Sequence, residues 1–374
     1  MANPLVEMQK LGQSPWHDNI RRQQLTSGKL KGMIDAGDIT GLTSNPTIFE
    51  QAIKSKDYDT EIAELAKAGK TSLQIFDAIA IEDIRAAADL FKPVFDRTQG
   101  NDGYVSIEVA PHFARDSTAT INEAKRLWAA VDRPNVMVKI PATLEGLPAI
   151  ETCLAEGLNI NVTLIFSLER YDAVMNAYIN GLTQRAAAGK DVNRAASVAS
   201  FFVSRVDTLV DRLLDERTAA NAEDVKRMAD LHGKAAIANA KLAYRNFQKK
   251  FGGSAFAELK KKGARVQRPL WASTSTKNPK YQDTYYVEAL LGPDSVDTMP
   301  PATIDAYRDH GKPSVQIDKE LNAADKVMRE LAELGIEMKA VTKQLEDEGV
   351  ASFAKSFDSM IDAVEVLRKK ATGA

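Results

Sequence analysis

The sequence has little of what disulfides, metal sites and charge-driven binding require. One cysteine among 374 residues, Cys153, excludes an internal disulfide and fits a reducing compartment. The four histidines are scattered, and no cysteine cluster accompanies them to suggest a metal site. A formal net charge of -2 supplies no electrostatic attraction to nucleic acid or to an anionic membrane. We therefore expect neither a bound metal nor a nucleic-acid partner.

Long hydrophobic runs and a targeting segment are missing too. No apolar stretch approaches the ~18 residues that a membrane helix needs. Residues 1–7 have neither the basic region nor the apolar region of a signal peptide. We expect no membrane association and a cytoplasmic location. Hydrophobic residues make up 44% of the chain, which is enough to build the core of an ordinary globular protein.

Short β-rich runs alternate with longer helical stretches along most of the chain. Eight runs predict strands, at residues 14–20, 39–43, 104–109, 136–140, 159–166, 197–203, 266–272 and 297–299. Such alternation implies a parallel sheet covered by helices on both faces, and eight strands indicate a closed (β/α)8 TIM barrel. We expect residues 1–374 to form one barrel domain with extra helices at 221–251, and residues 314–374 to form a C-terminal helical extension packed on it.

Polar residues interrupt four successive apolar strands near their carboxyl ends. These residues are Glu108, Lys139, Asn161 with Thr163, and Ser200. In a barrel the carboxyl ends of the strands and the loops that follow them carry the active site. The sequence therefore predicts that these side chains converge on one point at the barrel mouth.

Lys139 lies in an apolar strand, where an unpaired ammonium would be strongly destabilising. A desolvated lysine can attack a carbonyl and form a Schiff base. The alternative is an ion pair with Glu108 that only holds the barrel together, since adjacent strands lie ~4.8 Å apart. In a catalytic site Glu108 would act as a general acid and base beside the amine. We favour catalysis, because the hydroxyls of Thr163 and Ser200 are not needed by an ion pair.

Two loops carry further candidate residues. Asn45, followed by Pro46 and a helical stretch, suits a helix N-cap, and its amide could also bind a substrate hydroxyl. Ser275 and Lys277 follow the seventh strand, a common place for phosphate in barrels, and Arg205 could supply a second positive charge. The alternative for this second loop is a polar turn with a surface lysine.

Taken together, these segments resemble the transaldolase family of Schiff-base aldolases, in the expected order over most of the chain. The resemblance lies in Gly-Leu-Thr-Ser-Asn-Pro at 41–46, Ser-Ile-Glu-Val at 106–109, the lysine strand at 136–143, and the segments 161–167 and 200–205. Residues 14–22 resemble the first strand of the longer bacterial members, in which an aspartate is catalytic, so that role falls to Asp18. The sequence departs from the family at Lys277, where an arginine is commoner and could bind phosphate in bidentate fashion.

The resemblance implies transfer of a dihydroxyacetone unit from sedoheptulose 7-phosphate to glyceraldehyde 3-phosphate, giving erythrose 4-phosphate and fructose 6-phosphate in the non-oxidative pentose phosphate pathway. Lys139 would form the imine and Asp18 would act as the base in carbon–carbon bond cleavage. Glu108 would shuttle protons, with Thr163 orienting a water. The remaining candidates would bind substrate: Asn45, Asn161 and Ser200 through its hydroxyls, and Arg205, Ser275 and Lys277 through its phosphate. No metal or organic cofactor is expected, because the lysine supplies the electrophile.

Two other functions stay open at this point. A fructose 6-phosphate aldolase would release free dihydroxyacetone, although such relatives are much shorter and lack long C-terminal helices. The second alternative is a non-catalytic barrel that binds sugar phosphates, although such a protein would not need Lys139 together with Glu108 and Asp18. The sequence leaves the oligomeric state open. It also does not settle whether the C-terminal helices close over the barrel mouth, form an interface or simply pack on the barrel.

Overall fold

The eight predicted strands form one closed barrel in the computed structural model, which describes residues 3–373. The strands are β1 (Gln13–Asp18), β2 (Gly41–Thr43), β3 (Val105–Glu108), β4 (Val136–Pro141), β5 (Ile160–Ile165), β6 (Ser197–Phe202), β7 (Arg268–Ala272) and β8 (Ser295–Met299). Each strand pairs in parallel with the next, and β8 pairs with β1 to close the ring. The predicted (β/α)8 barrel is therefore confirmed.

Helices surround the barrel, and their number is larger than the eight that the fold requires. Within residues 3–373 they are α1 (Pro4–Lys10), α2 (Arg22–Thr26), α3 (Lys29–Asp35), α4 (Pro46–Ile53), α5 (Asp59–Lys67), α6 (Ser72–Arg97), α7 (Ser117–Val131), α8 (Gly146–Glu156), α9 (Leu168–Ala187), α10 (Ser204–Asp215), α11 (Ala222–Leu231), α12 (Ala235–Gly252), α13 (Ser254–Lys261), α14 (Tyr285–Ala289), α15 (Pro301–His310), α16 (Leu321–Glu333) and α17 (Met338–Thr372), with a 3-10 helix at Pro111–Phe113. None of them combines the length and apolarity that crossing a membrane requires.

The amino-terminal end of the barrel is closed by a buried polar cluster. Arg268, at the start of β7, donates to Ser14 Oγ at 2.9 Å, and Ser14 in turn hydrogen-bonds Asp102. The indole of Trp16 donates to Asp102 Oδ1 at 2.8 Å. Trp16 fills the barrel beside Gly41, where a Cβ would come within 2.5 Å of the indole. These side chains are buried, and the candidate site residues lie toward the other, carboxyl ends of the strands.

The C-terminal helix α17 lies against the opposite, carboxyl end of the barrel. It contacts α4, α5, α6, α10 and β5. Gly349 brings the helix backbone against Leu164 at the end of β5, where a Cβ would lie 2.9 Å from Leu164 Cδ2. Ser356 and Thr47 share a hydrogen bond of 3.0 Å near the start of α4. The helix is thus placed beside the loops that surround the barrel mouth.

Candidate active site

Lys139 and Glu108 are adjacent on neighbouring strands. They are register partners in the β3–β4 pair, and Lys139 Nζ lies 3.3 Å from Glu108 Oε2. The lysine also donates to the backbone carbonyl oxygen of Ser44 at 3.0 Å. Both side chains are almost fully buried, at 6% and 4% exposure. A buried amine is therefore held beside one carboxyl group, with the loop after β2 as its second partner.

Burial changes the acidity of Glu108. Removal from water raises the pKa of its carboxyl group, and the nearby charge of Asp18 raises it further. Lys139 acts in the opposite direction, because a positive charge favours the carboxylate. The net effect is a raised pKa, so this carboxyl group keeps its proton to higher pH than an exposed glutamate does.

Asp18 ends β1 and is held by a chain of hydroxyl groups. Thr43 Oγ1 donates to Asp18 Oδ1 at 2.6 Å, and the same hydroxyl shares a 2.6 Å hydrogen bond with Thr298 Oγ1. Burial raises the pKa of Asp18, while the charge of Lys139 and the hydrogen bond from Thr43 oppose the increase. The aspartate therefore lies within the electrostatic reach of the lysine, with its orientation set by the neighbouring strands.

The polar residues of β5 and β6 form a network inside the barrel. Ser200 Oγ donates to Asn161 Oδ1 at 2.7 Å, and Asn161 Nδ2 donates to Ser106 Oγ at 3.1 Å. Thr163 is fully buried, and its hydroxyl makes no hydrogen bond within residues 3–373. Leu164 follows with a left-handed φ of 58°, where the register of β5 against β6 shifts. This irregularity occurs directly beside the hydroxyl of Thr163, which is unpartnered in the described part of the chain.

Asn45 fulfils the capping role that the sequence indicates. Its Oδ1 accepts a hydrogen bond from the backbone N–H of Ile48 at 3.0 Å, and Pro46 occupies the first turn of α4. Capping uses the carbonyl oxygen of the side chain, so the amide N–H groups stay available. The structural role and a substrate-binding role are therefore compatible in this residue.

The three candidate phosphate-binding residues lie in the segments that follow β6 and β7. Lys277 is exposed and donates to Ser275 Oγ at 2.8 Å. Arg205 is partly buried in the first turn of α10. Both cations lower the pKa of Asp18 electrostatically, which locates their charges near the barrel mouth. They form a positive rim at one side of the site.

Several residues that support the site were not singled out by sequence reasoning. Ser106 lies two residues before Glu108 on β3, so the alternation of a strand could have indicated it. Thr43 and Thr298 carry a comparable signal, because each is a polar residue at the carboxyl end of a predicted strand. The pair Thr274 and Asp297 carries no such signal, because the two residues come from different strand segments and are brought together only by the fold.

Asp297 anchors the loop after β7. It is fully buried on β8 and accepts a hydrogen bond from Thr274 Oγ1 at 2.8 Å through Oδ1. Its Oδ2 has no hydrogen-bond partner within residues 3–373, and burial raises its pKa to about 7. Thr274 directly precedes Ser275, so this contact ties the candidate phosphate loop to the barrel wall.

The fold and the site together define a class of protein: a (β/α)8 barrel whose mouth is centred on a buried lysine with two carboxyl groups around it. The profile of the family described as Transaldolase/Fructose-6-phosphate aldolase matches residues 15–364. The chain belongs to this family.

Full-length relatives lead to the same family. A transaldolase of Trichodesmium erythraeum is 46% identical over an alignment covering 100% of this chain and 99% of that protein. A transaldolase of Thermobifida fusca is 47% identical, with 97% of this chain and 98% of that protein covered. A transaldolase of Acidothermus cellulolyticus is 48% identical, with coverages of 97% and 96%. The similarity thus includes the C-terminal helices as well as the barrel.

Proposed function

We propose that this protein is a transaldolase that moves a dihydroxyacetone unit between sugar phosphates through a Schiff base on Lys139. The observation that carries the proposal is the 3.3 Å contact between Lys139 Nζ and Glu108 in a buried barrel mouth. Membership of the family and the names of the relatives support the same activity. The substrates would be sedoheptulose 7-phosphate and glyceraldehyde 3-phosphate, as metabolites of the non-oxidative pentose phosphate pathway in the cytoplasm.

The first steps form the imine. The nitrogen lone pair of Lys139 attacks the C2 ketone of the donor, and the carbinolamine then loses its hydroxyl group as water. Glu108 donates the proton that the departing hydroxyl needs and takes up the proton that the nitrogen loses. The hydroxyl of Thr163, which has no hydrogen-bond partner among the residues that the structure describes, would hold this water. In the reverse direction the same groups would hydrolyse the imine.

The next step breaks the bond between C3 and C4. Asp18 removes the proton of the C4 hydroxyl, the C3–C4 electron pair moves into the protonated imine, and an aldehyde leaves. The three-carbon enamine stays on Lys139. When the acceptor aldehyde arrives, the enamine carbon attacks it, and Asp18 returns the proton to the new hydroxyl. Because the imine itself accepts the electrons, this sequence requires no metal or organic cofactor.

The other polar residues would bind substrate. Asn45, Asn161 and Ser200 would hold the hydroxyls of the three-carbon fragment until the acceptor arrives. Arg205, Ser275 and Lys277 would bind the phosphate of the donor or the acceptor at the positive rim.

The experiment that tests this proposal is intact-protein mass spectrometry after incubation with fructose 6-phosphate and borohydride, followed by peptide mapping. A reduced three-carbon adduct on Lys139 would demonstrate the Schiff base, its position and retention of the transferred unit. A folded protein that forms no adduct would exclude this mechanism and recast Lys139 and Glu108 as a structural ion pair.

Fructose 6-phosphate aldolase activity is a second candidate, since the family description names it alongside transaldolase. The two activities differ in what happens to the enamine. Incubation with fructose 6-phosphate and no acceptor would release free dihydroxyacetone continuously from an aldolase. A transaldolase would release glyceraldehyde 3-phosphate only up to the amount of enzyme present.

A further inference from the structure

The guanidinium of Arg205 is enclosed by two aromatic rings from different parts of the chain. Its Cζ lies 5.2 Å from the ring centroid of Phe202, at the end of β6, and 5.9 Å from that of Phe353 on α17. Phe353 is 3% exposed, so its ring position is fixed by packing. The barrel therefore supplies one face of this enclosure and the C-terminal helix supplies the other.

Arg205 makes no side-chain hydrogen bond or ion pair with any group in residues 3–373. Asp18 and Glu348 act on it only through longer-range electrostatics. An arginine with no partner among the described residues can offer the two parallel N–H groups of one edge to a phosphate in bidentate fashion. The two rings therefore contact the guanidinium without using its N–H donors.

Contacts near the site fix the position of α17, the helix that carries Phe353. Gly349 lies one helical turn before Phe353, and its missing side chain allows the helix to contact Leu164 on β5. One turn later Phe357 packs against Phe76 at a centroid distance of 5.7 Å. Contacts on both sides of Phe353 thus fix the distance between the helix and Arg205.

We propose that Phe353 is a positioning residue that orients Arg205 toward the phosphate of the substrates, so that the C-terminal helix completes the phosphate site of the barrel. This inference rests on the proposed function, since it assigns phosphate to Arg205. Without the second ring, the guanidinium keeps one aromatic contact and gains rotational freedom and water. A cation–π contact in a partly desolvated site contributes about 1–2 kcal/mol.

The test compares Phe353→Leu with the wild type, using saturating sedoheptulose 7-phosphate and two acceptors. The acceptors are glyceraldehyde 3-phosphate and D-glyceraldehyde, which differ only in the phosphate. We expect the KM for glyceraldehyde 3-phosphate to rise roughly fivefold to thirtyfold, with kcat retained. The KM for D-glyceraldehyde should not change. A general loss of packing would alter both acceptors equally, and that result would overturn the inference.

Phe357→Leu is the matched control, because it makes the same replacement one turn away on the same helix, where the ring faces Phe76 and His112. It should leave both KM values unchanged. Binding of inorganic phosphate, measured by titration calorimetry, provides a readout that does not depend on catalysis. Phe353→Leu alone should weaken it.

Equal phosphate affinity in all three proteins would overturn the role of Phe353 and leave the transaldolase proposal standing. The wild type could fail to transfer to either acceptor while Phe353→Leu alone still binds phosphate more weakly. That pair of results would overturn the proposed function and keep this inference.

Discussion

Glu108 and Asp18 retain their protons to higher pH than exposed carboxylic acids, because burial raises the pKa of both. The positive charge of Lys139 limits the increase in the pKa of both carboxyl groups. Two buried acids beside one amine can pass protons to and from a bound sugar without the help of bulk water. At the scale of single residues, the chemistry of the site follows from where these three groups are buried.

Lys139→Met should abolish turnover while preserving the apolar stem of the side chain. The variant lacks the only nucleophile that our mechanism uses, so kcat should fall by more than about a thousandfold. No borohydride adduct should form, and circular dichroism should show an unchanged fold. Substantial remaining activity in this variant would contradict the Schiff-base mechanism.

Glu108→Gln keeps the shape of the side chain but cannot exchange a proton. We expect kcat to fall by about a hundredfold or more, with slow formation of the adduct on Lys139. The pH profile should lose an ionisation that lies above the ordinary range of a glutamate, since the pKa of Glu108 is raised. An unchanged rate of adduct formation would show that Glu108 only pairs with the lysine.

At the scale of elements, the strands position the reactive groups, and hydrogen bonds to neighbouring elements hold the loops that follow the strands. Ser44 Oγ donates to the carbonyl oxygen of Ser106 at 2.7 Å, which fixes the loop that also accepts from Lys139. The loop after β7 is held against the start of α10, where Ser273 and Ser204 share a 2.9 Å hydrogen bond. These ties hold site loops that would otherwise be among the most mobile parts of a barrel.

Gly41→Ala should destabilise the barrel at the β1–β2 pair. A Cβ at this position would come 2.5 Å from the indole of Trp16, so the ring or the strand must move. We expect a loss of about 1–3 kcal/mol in the free energy of unfolding, measured by urea denaturation. Gly252→Ala is the control, since a Cβ there meets nothing within 4 Å. Equal stability of the two variants would show that Trp16 readily repacks.

For the whole molecule, buried acids make folding stability depend on pH. Burial raises the pKa of Asp207 and of Asp297 to about 7, well above the ordinary value of an aspartate. The unfolded chain loses these protons near pH 4, whereas the folded protein keeps them to about pH 7. Stability from these groups is therefore complete below the unfolded pKa and is lost as pH rises through the folded one.

Asp297→Asn should make the folding stability of the protein less sensitive to a rise in pH. Asparagine resembles the protonated aspartic acid and cannot ionise, and it can still accept from Thr274. Each pKa unit corresponds to about 1.4 kcal/mol, so between pH 4 and pH 8 the variant should gain at least about 2 kcal/mol relative to the wild type. Urea denaturation at both pH values measures the difference. The same stability gap at pH 4 and pH 8 would mean that Asp297 ionises freely in the folded protein.

All eight strands, and the polar residues at the ends of β3 to β6, could be predicted from the sequence. Strand periodicity and apolar burial are properties of a few consecutive residues, and a barrel brings the carboxyl ends of its strands together by topology. Those rules were sufficient to place Lys139 beside Glu108. The roles of the individual residues in catalysis stay predictions for the experiments above.

Only the tertiary structure decided which distant groups meet. The hydroxyl chain from Asp18 through Thr43 to Thr298 joins β1 and β2 to β8, and its two threonines lie 255 positions apart in the sequence. The enclosure of Arg205 by Phe353 likewise depends on where α17 lies. The stripe of apolar residues on that helix specifies a buried face but not the surface that it covers. A local pattern cannot encode that choice, because it depends on the summed packing of the helix against the whole barrel mouth.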